Sequence, residues 1–324
     1  MTVLNPLVSP PASDGFQPPP VDAAPRFAAS LRGQALAWGA VAPSLLLGPV
    51  HTEAFGVLMY HRITPALAGV AKPTWNVTPR RFASQLRGLL RLGFDPWPLK
   101  KVVDFRRRNL VIPRNVFVVT FDDVYANVYQ NAFPVLQKLK IPATLFLATA
   151  YLDSNEPFPF DDWSAKGAPD VPGSSWLPIS TRQCREMQDS GLIELAAHTH
   201  THSDFRDRPD ALRNDLHQCV EVMATRFGVE RPNFAFPYGC VGLGYVCEEL
   251  TKAARETGIE SALTTESRLV LPEDDTFHWG RFTAESYDTA LTLAAKLNGW
   301  HNAAAKAGRA LRGWCRARRI WPGG

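Results

Sequence analysis

From Phe55 onward the chain alternates short apolar runs with amphipathic stretches. Segments 56–60, 116–121 and 143–148 are apolar throughout and too short for independent helices, which predicts strands buried on both faces. Segments 192–197, 234–236 and 261–264 read as further strands. Between them, apolar residues recur at helical spacing. In 78–92, Thr78 is placed to cap, Pro79 sits in the first turn, and Phe82, Leu86, Leu89 and Leu90 share a face. Helices are also predicted over 125–139 (kinked or split at Pro134), 181–189, 209–227, 245–256, 286–297 and 303–318. A long loop spans 151–178 and carries Trp163 and Trp176. Strands alternating with helices predict an α/β fold with a mostly parallel sheet. Several strands end in polar residues, as a (β/α) barrel requires when its chemistry lies at the carboxyl ends of the strands.

The N-terminal region follows a different pattern. Residues 1–25 hold seven prolines and read as a flexible leader. Residues 33–50 carry no charge, but Gly39, Pro43 and Gly48 interrupt them, and 18 residues is marginal for a membrane span. A helix packed on the domain or an interfacial segment fits this stretch, and no transmembrane helix is predicted.

Composition and charge narrow the function classes. The formal net charge is +4, yet seven Lys or Arg and no acid lie beyond Asp288. Without them the rest of the chain is net negative, and it carries no nucleic-acid-binding motif, so no nucleic-acid partner is expected. Lys306, Arg309, Arg312, Arg316 and Arg319 are spaced by three or four, with Ala307, Leu311 and Trp314 opposite and Trp321 beyond. This basic amphipathic pattern suits peripheral contact with an anionic membrane, and equally an ordinary solvated terminal helix. The five cysteines (184, 219, 240, 247 and 315) are odd in number and form no dense framework, which reads as free thiols. Nine Trp and 27 Pro suit large loops, including loops that stack on sugar rings.

The candidate chemistry sits at two strand ends. The run 116–121 delivers Asp122 and Asp123 to its carboxyl edge. Neighbouring side chains on an extended chain point apart, so one acid can bind a metal while the other takes a proton from water. The strand at 192–197 runs directly into His198, with His200 and His202 following. One helical turn would bring His198 and His202 to one side, with His200 the alternative ligand. Two imidazoles and one carboxylate leave coordination positions open and suit Zn²⁺, with Co²⁺ or Ni²⁺ as substitutes. Such a site activates water and polarises a carbonyl, with Asp122 as general base. Asp204, Glu194 and Asp207 are candidates to support the ligands.

These residues carry a resemblance. Thr120-Phe121-Asp122-Asp123, then Ile-Pro-Ala-Thr-Leu-Phe at 141–146, then His198-Thr199-x-x-His202, then Phe236-Pro237-Tyr238-Gly239 resembles the NodB-type polysaccharide deacetylases, carbohydrate esterase family four, over roughly 55–285. The opening Leu58-Met59-Tyr60-His61-Arg62-Ile63 resembles the branch that deacetylates poly-N-acetylglucosamine and other exopolysaccharides. The resemblance implies a distorted (β/α) barrel that hydrolyses acetyl groups from amino sugars. It implies Asp122 as base, and Asp123, His198 and His202 as metal ligands. It also implies a groove lined by Pro237, Tyr238 and Gly239, with a backbone N–H near Tyr238 aiding the oxyanion.

The sequence departs from the family in three places. Val124 replaces a frequent Gly after the acid pair. Ala235 stands where an Arg often steadies the base, so Arg281, with Arg231 as alternative, is expected to supply that charge. The usual motif for the general acid is absent, so His278 is the expected acid, and His61 is placed at the site rim for substrate contact. Asp161, Asp162 and Trp163 are further candidates for sugar contact.

The expected organisation is a leader and apolar segment (1–53), a polysaccharide deacetylase domain (54–290) and a basic C-terminal helix (291–324). The expected partner is an acetylated glycan. Rival readings are an O-acetyl esterase, a non-catalytic carbohydrate-binding relative, and a membrane-associated subunit of a polysaccharide assembly. Free thiols favour a cytoplasmic or membrane-associated location, whereas work on cell-surface glycans favours export. No feature sets an oligomeric state.

Overall fold

The computed structural model describes residues 31–68, 70, 72–161 and 171–303. The leader at 1–25, Asp162 and Trp163, Cys315 and the basic segment beyond 303 lie outside the described residues. Helices α1 (Leu31–Gly39) and α2 (Val41–Leu47) come first, then β1 (Gly56–Tyr60), α3 (Pro79–Arg91), β2 (Asp95–Pro96), α4 (Leu99–Arg107) and β3 (Val116–Phe121). A π-helical turn (Val128–Ala132) leads into α5 (Phe133–Leu139) and β4 (Ala143–Leu147). Next are α6 (Thr181–Asp189), β5 (Ile193–Ala197), α7 (Pro209–Phe227), β6 (Phe234–Ala235), α8 (Glu248–Arg255), β7 (Ala262–Leu263), β8 (Phe282–Thr283) and α9 (Ala290–Leu297).

Among the described residues the strands form one parallel sheet in the order β7-β6-β5-β4-β3-β1-β8, with β2 beside β3. The sheet curls until its two ends approach. A parallel bridge joins Leu263 to Trp279, just before β8, and Thr264 donates its N–H to the Trp279 carbonyl. This is the curled, distorted barrel expected of the fold class.

Side-chain alternation explains the continuous apolar runs. In β3, Val116 and Val118 belong to one core cluster with Phe146, Ala196, Leu263 and Trp279. Phe117, Val119 and Phe121 belong to another, with Phe82, Leu86 and Leu89 of α3. Both faces are buried, so no polar residue interrupts the run. The same alternation puts Thr120 and then Asp122 on the Val116–Val118 face.

Local signals account for most helix boundaries. Thr78 caps α3, accepting from Arg81 N at 3.4 Å. The helix expected over 125–139 is split: the π-turn precedes α5, and Pro134 falls in the first turn of α5, where its missing N–H costs nothing. Helix α9 starts at Ala290 rather than 286, because Thr289 caps it in a reciprocal box with Thr292. Helix α4 and strands β2 and β8 were not predicted; the strands are two residues each and too short to leave a pattern. The uncharged stretch 33–50 folds as α1 and α2 packed on α9, with Ala40, Val41 and Ala295 buried together. Among the described residues no helix is long and apolar enough to cross a membrane. Cys184, Cys219, Cys240 and Cys247 are free thiols.

Candidate active site

The acid pair begins where β3 ends. Asp122 N donates to the Tyr60 carbonyl at 2.9 Å, a last sheet-like bond to β1. The chain then turns through two consecutive left-handed residues, Asp123 (φ 63°) and Val124 (φ 62°). Glycine meets such a geometry without strain, whereas a β-branched residue costs on the order of 1–3 kcal/mol there. Here the Val124 side chain is fully buried in the core, which offsets that cost. The turn separates the two carboxylates: Asp122 faces Arg281, and Asp123 faces the histidines.

Asp123 Oδ1 lies 3.5 Å from His198 Nε2 and 3.3 Å from His202 Nε2. One ligand atom from each of the three residues lies within 4.8 Å of the other two, and all three residues are buried. His198 Nδ1 is 2.7 Å from the Ala235 carbonyl, so its proton sits on Nδ1 and the Nε2 lone pair faces the cluster. Asp123 Oδ1 has no hydrogen bond although it is buried. An orphaned carboxylate oxygen facing two imidazole nitrogens is the donor set of a divalent-cation site, and the residues fit such an ion.

The histidines do not converge by a helical turn. Residues 198–202 form a loop in which Thr199 (φ 64°) and His202 (φ 54°) are left-handed. His202 N donates to Thr199 Oγ1 at 2.9 Å. Asp215, from α7, accepts from His200 N, from Thr201 N at 3.2 Å and from Thr201 Oγ1 at 2.6 Å. His200 turns away, its Nδ1 2.9 Å from Thr149 Oγ1. Asp215 is thus the acid that shapes this loop. Asp204 instead pairs with Arg206, and Glu194 accepts from Lys100 N and Asn233 Nδ2. A carboxylate thirteen residues beyond His202 leaves no local signal in the sequence.

Arg281 grips Asp122 with both guanidinium nitrogens, at 2.5 and 2.7 Å, and its Nε donates to the Thr264 carbonyl at 3.0 Å. Both side chains are buried. Ala235 contributes only its carbonyl, and the charge arrives from the far end of the sheet. Burial pushes the Asp122 carboxyl upward, but Arg281, with His198 and His61, outweighs it and holds the group below the ordinary carboxylate value. Burial likewise opposes ionisation of Asp123, and the His198 and His202 imidazoles overcome it.

His278 does not reach this cluster. Residues 279–281 continue toward β8 with Trp279 and Arg281 facing inward, so His278 faces out. Its Nε2 lies 3.4 Å from Thr251 Oγ1 of α8 and its Nδ1 3.5 Å from Asp275 Oδ2. The role of acid expected for it is therefore withdrawn. His61 follows β1 at the sheet edge where Asp122 follows β3, since Tyr60 pairs with Phe121. Its ring stacks on Trp75 (5.5 Å between centroids, 22° between planes), its Nδ1 is buried without a hydrogen bond, and burial pushes its pKa down.

Aromatic rings pack around His202. Phe160 stacks on it at 4.0 Å, and Tyr238 meets it edge-on at 5.0 Å. Pro237, Tyr238 and Gly239 form a tight turn after β6, with Tyr238 (φ 62°) and Gly239 (φ 51°) left-handed. A Cβ at Gly239 would lie 2.9 Å from Thr265 N, so only glycine fits there. Asp161 is buried and ion-paired to Arg62 rather than open to a sugar.

This chain is similar to known proteins. Residues 111–262 match the family model described as polysaccharide deacetylase. A poly-beta-1,6-N-acetyl-D-glucosamine N-deacetylase of Staphylococcus epidermidis is 26% identical over 235 residues, covering 70% of this chain and 73% of that protein. IcaB from Ammonifex degensii superposes with a TM-score of 0.62 at 24% identity, over 76% of this chain and 98% of that one. The Streptococcus pyogenes deacetylase PplD, solved with acetate, gives 0.61 at 18% identity over 76% and 99%. Residues 111–262 thus match a polysaccharide deacetylase domain, and the solved structures named here share its fold.

Proposed function

We propose that this protein hydrolyses N-acetyl groups of a poly-N-acetylglucosamine-type glycan, using Asp122 as general base beside a divalent cation held by Asp123, His198 and His202. The carrying observation is the division of labour between adjacent acids: Asp122 is bound by Arg281 while Asp123 faces two imidazoles. The relatives named above supply the substrate class. The mixed nitrogen and oxygen donor set suits Zn²⁺, with Co²⁺ or Ni²⁺ able to substitute. When bound, the ion supplies Lewis acidity that acidifies water and polarises the acetyl carbonyl.

The chain's own residues do the rest. Arg281 occupies one lone pair on each Asp122 oxygen and leaves others free, so the carboxylate stays ionised and can still take a proton from the attacking water. The Tyr238 backbone N–H, in the turn after β6, is assigned to the oxyanion of the tetrahedral intermediate. His61 is assigned in place of His278 as the group that protonates the departing amine, because it follows Tyr60 as Asp122 follows the paired Phe121, at the same edge of the sheet, and its buried Nδ1 has no hydrogen bond. Arg281 also removes the main ground for a non-catalytic reading, since a partner for the base is present.

A membrane-side location is part of the proposal. Trp38, Leu45, Leu46 and Leu47 are exposed on α1 and α2, with Leu46 82% accessible. Trp300 Nε1 donates to the Gly48 carbonyl at 2.6 Å, so the residues just after α9 pass beside the end of α2. An exposed apolar face in a chain whose sequence also carries a basic C-terminal stretch suits an anionic lipid surface.

The test is acetate release from β-1,6-linked N-acetylglucosamine oligomers by the purified chain, after chelation and after Zn²⁺ or Co²⁺ is restored, with Asp122→Asn in parallel. Release that needs the metal and is lost in the variant supports the assignment. A fully metallated chain that releases no acetate overturns it.

A further inference from the structure

Trp75 lies on the loop between β1 and α3, outside every motif described above. Its indole ring stacks on His61 and yet remains 38% exposed. Its backbone is left-handed (φ 54°), a conformation that an aromatic residue adopts only when its surroundings enforce it. The enforcement is visible on both sides. Arg62 N donates to the Trp75 carbonyl at 3.3 Å, and Val77 N donates to the Arg62 carbonyl at 3.0 Å. Asn76 closes the loop by accepting from Thr64 N at 2.9 Å and donating to the Thr64 carbonyl at 3.0 Å.

A large ring on a surface loop is ordinary when it lies against the core or moves freely. Trp75 does neither: a pinned, strained turn holds it against a site imidazole with part of its surface open to solvent. Strain of this kind persists where it serves geometry.

We infer that Trp75 is a stacking platform that receives the apolar face of a pyranose ring beside His61, and so determines preference for glycan over small acyl substrates. The inference rests on the proposed glycan deacetylase reading. Pyranose rings present a face of C–H groups that lies flat on an aromatic ring, and the rigid indole offers this area at little entropic cost. With His61 stacked against the indole, a sugar seats on the part of the ring that remains open, at the rim of the site.

The test uses the full metallated chain carrying Asp122→Asn, so that oligomers bind without turnover. Calorimetry compares β-1,6-linked N-acetylglucosamine pentamer binding to this host, to the host with Trp75→Ala, and to the host with Trp75→Phe. The expected result is a loss of roughly tenfold in affinity for the alanine variant and near retention for phenylalanine. In the chain with Asp122 intact, Trp75→Ala should raise KM for the oligomer by a similar factor. Its kcat, and its hydrolysis of 4-nitrophenyl acetate, should stay within about twofold. Unchanged oligomer affinity overturns the inference. So does an equal loss on oligomer and small ester, which would make Trp75 a mere support for His61. Failure of the broader reading is distinct: the chain with Asp122 and Trp75 intact would then release no acetate from the oligomer, whatever Trp75→Ala does to binding.

Discussion

Arg281 and Asp122 meet through two short hydrogen bonds, 159 residues apart in sequence and at opposite sides of the chain's folding path. The pair sets the ionisation of the proposed base. Replacing Arg281 by Met leaves a buried carboxylate without its partner, which costs about 3–5 kcal/mol of stability. It also removes the charge that holds the Asp122 pKa down. Because the base is active only when ionised, above its pKa, the acid limb of the pH–rate profile should move to higher pH. The maximal rate should fall about 10²-fold or more. An unmoved acid limb would show that Asp122 is not the group titrating in the rate.

Metal uptake should be coupled to a proton on His198. Burial lowers the His198 pKa, but Asp123 and Asp122 outweigh it, and the net shift is above 6.5. At His202 burial dominates and the pKa falls to about 4. Of the two imidazoles, His198 is therefore the one that holds an extra proton more readily in the absence of a cation, and a ligating imidazole must be neutral. Affinity should rise with pH, and binding should release a proton to the extent that His198 carries one. Calorimetry in buffers of differing ionisation enthalpy reads this directly, and binding without proton release would contradict it.

Asp215 should matter for metal retention although it binds no metal. It accepts from His200 and Thr201 and so holds the loop that presents His202. Asp215→Ala should weaken cation affinity by about 10–100-fold while leaving the overall fold intact. Competition with a chelator measures the affinity, and circular dichroism controls for the fold.

The exposed leucines on α2 should mediate lipid binding if the proposed location is right. Replacing Leu46 and Leu47 by Ser should lower co-sedimentation with anionic vesicles several-fold, and truncation after residue 303 should lower it further. Acetate release from soluble oligomers should be unaffected by the leucine changes. Equal sedimentation of all forms would remove membrane contact from the proposal.

Read alone, the sequence determined the alternation of strands and helices, the identity of the two acids and the concentration of histidines, because burial on both faces and helical periodicity act locally. It also carried the histidine pair that the structure brings beside Asp123, although a loop and not a helical turn brings the two together. The loop at 198–202 is shaped by Asp215, whose contact depends on where α7 packs. Only the tertiary structure decided which Arg meets Asp122, because a curled sheet brings its last strand back to its first. The same curl turned His278 outward while Arg281 turned inward, a difference of strand parity that follows from where Trp279 pairs with Leu263. Sheet closure and side-chain parity depend on contacts between distant segments, so no local pattern could carry them.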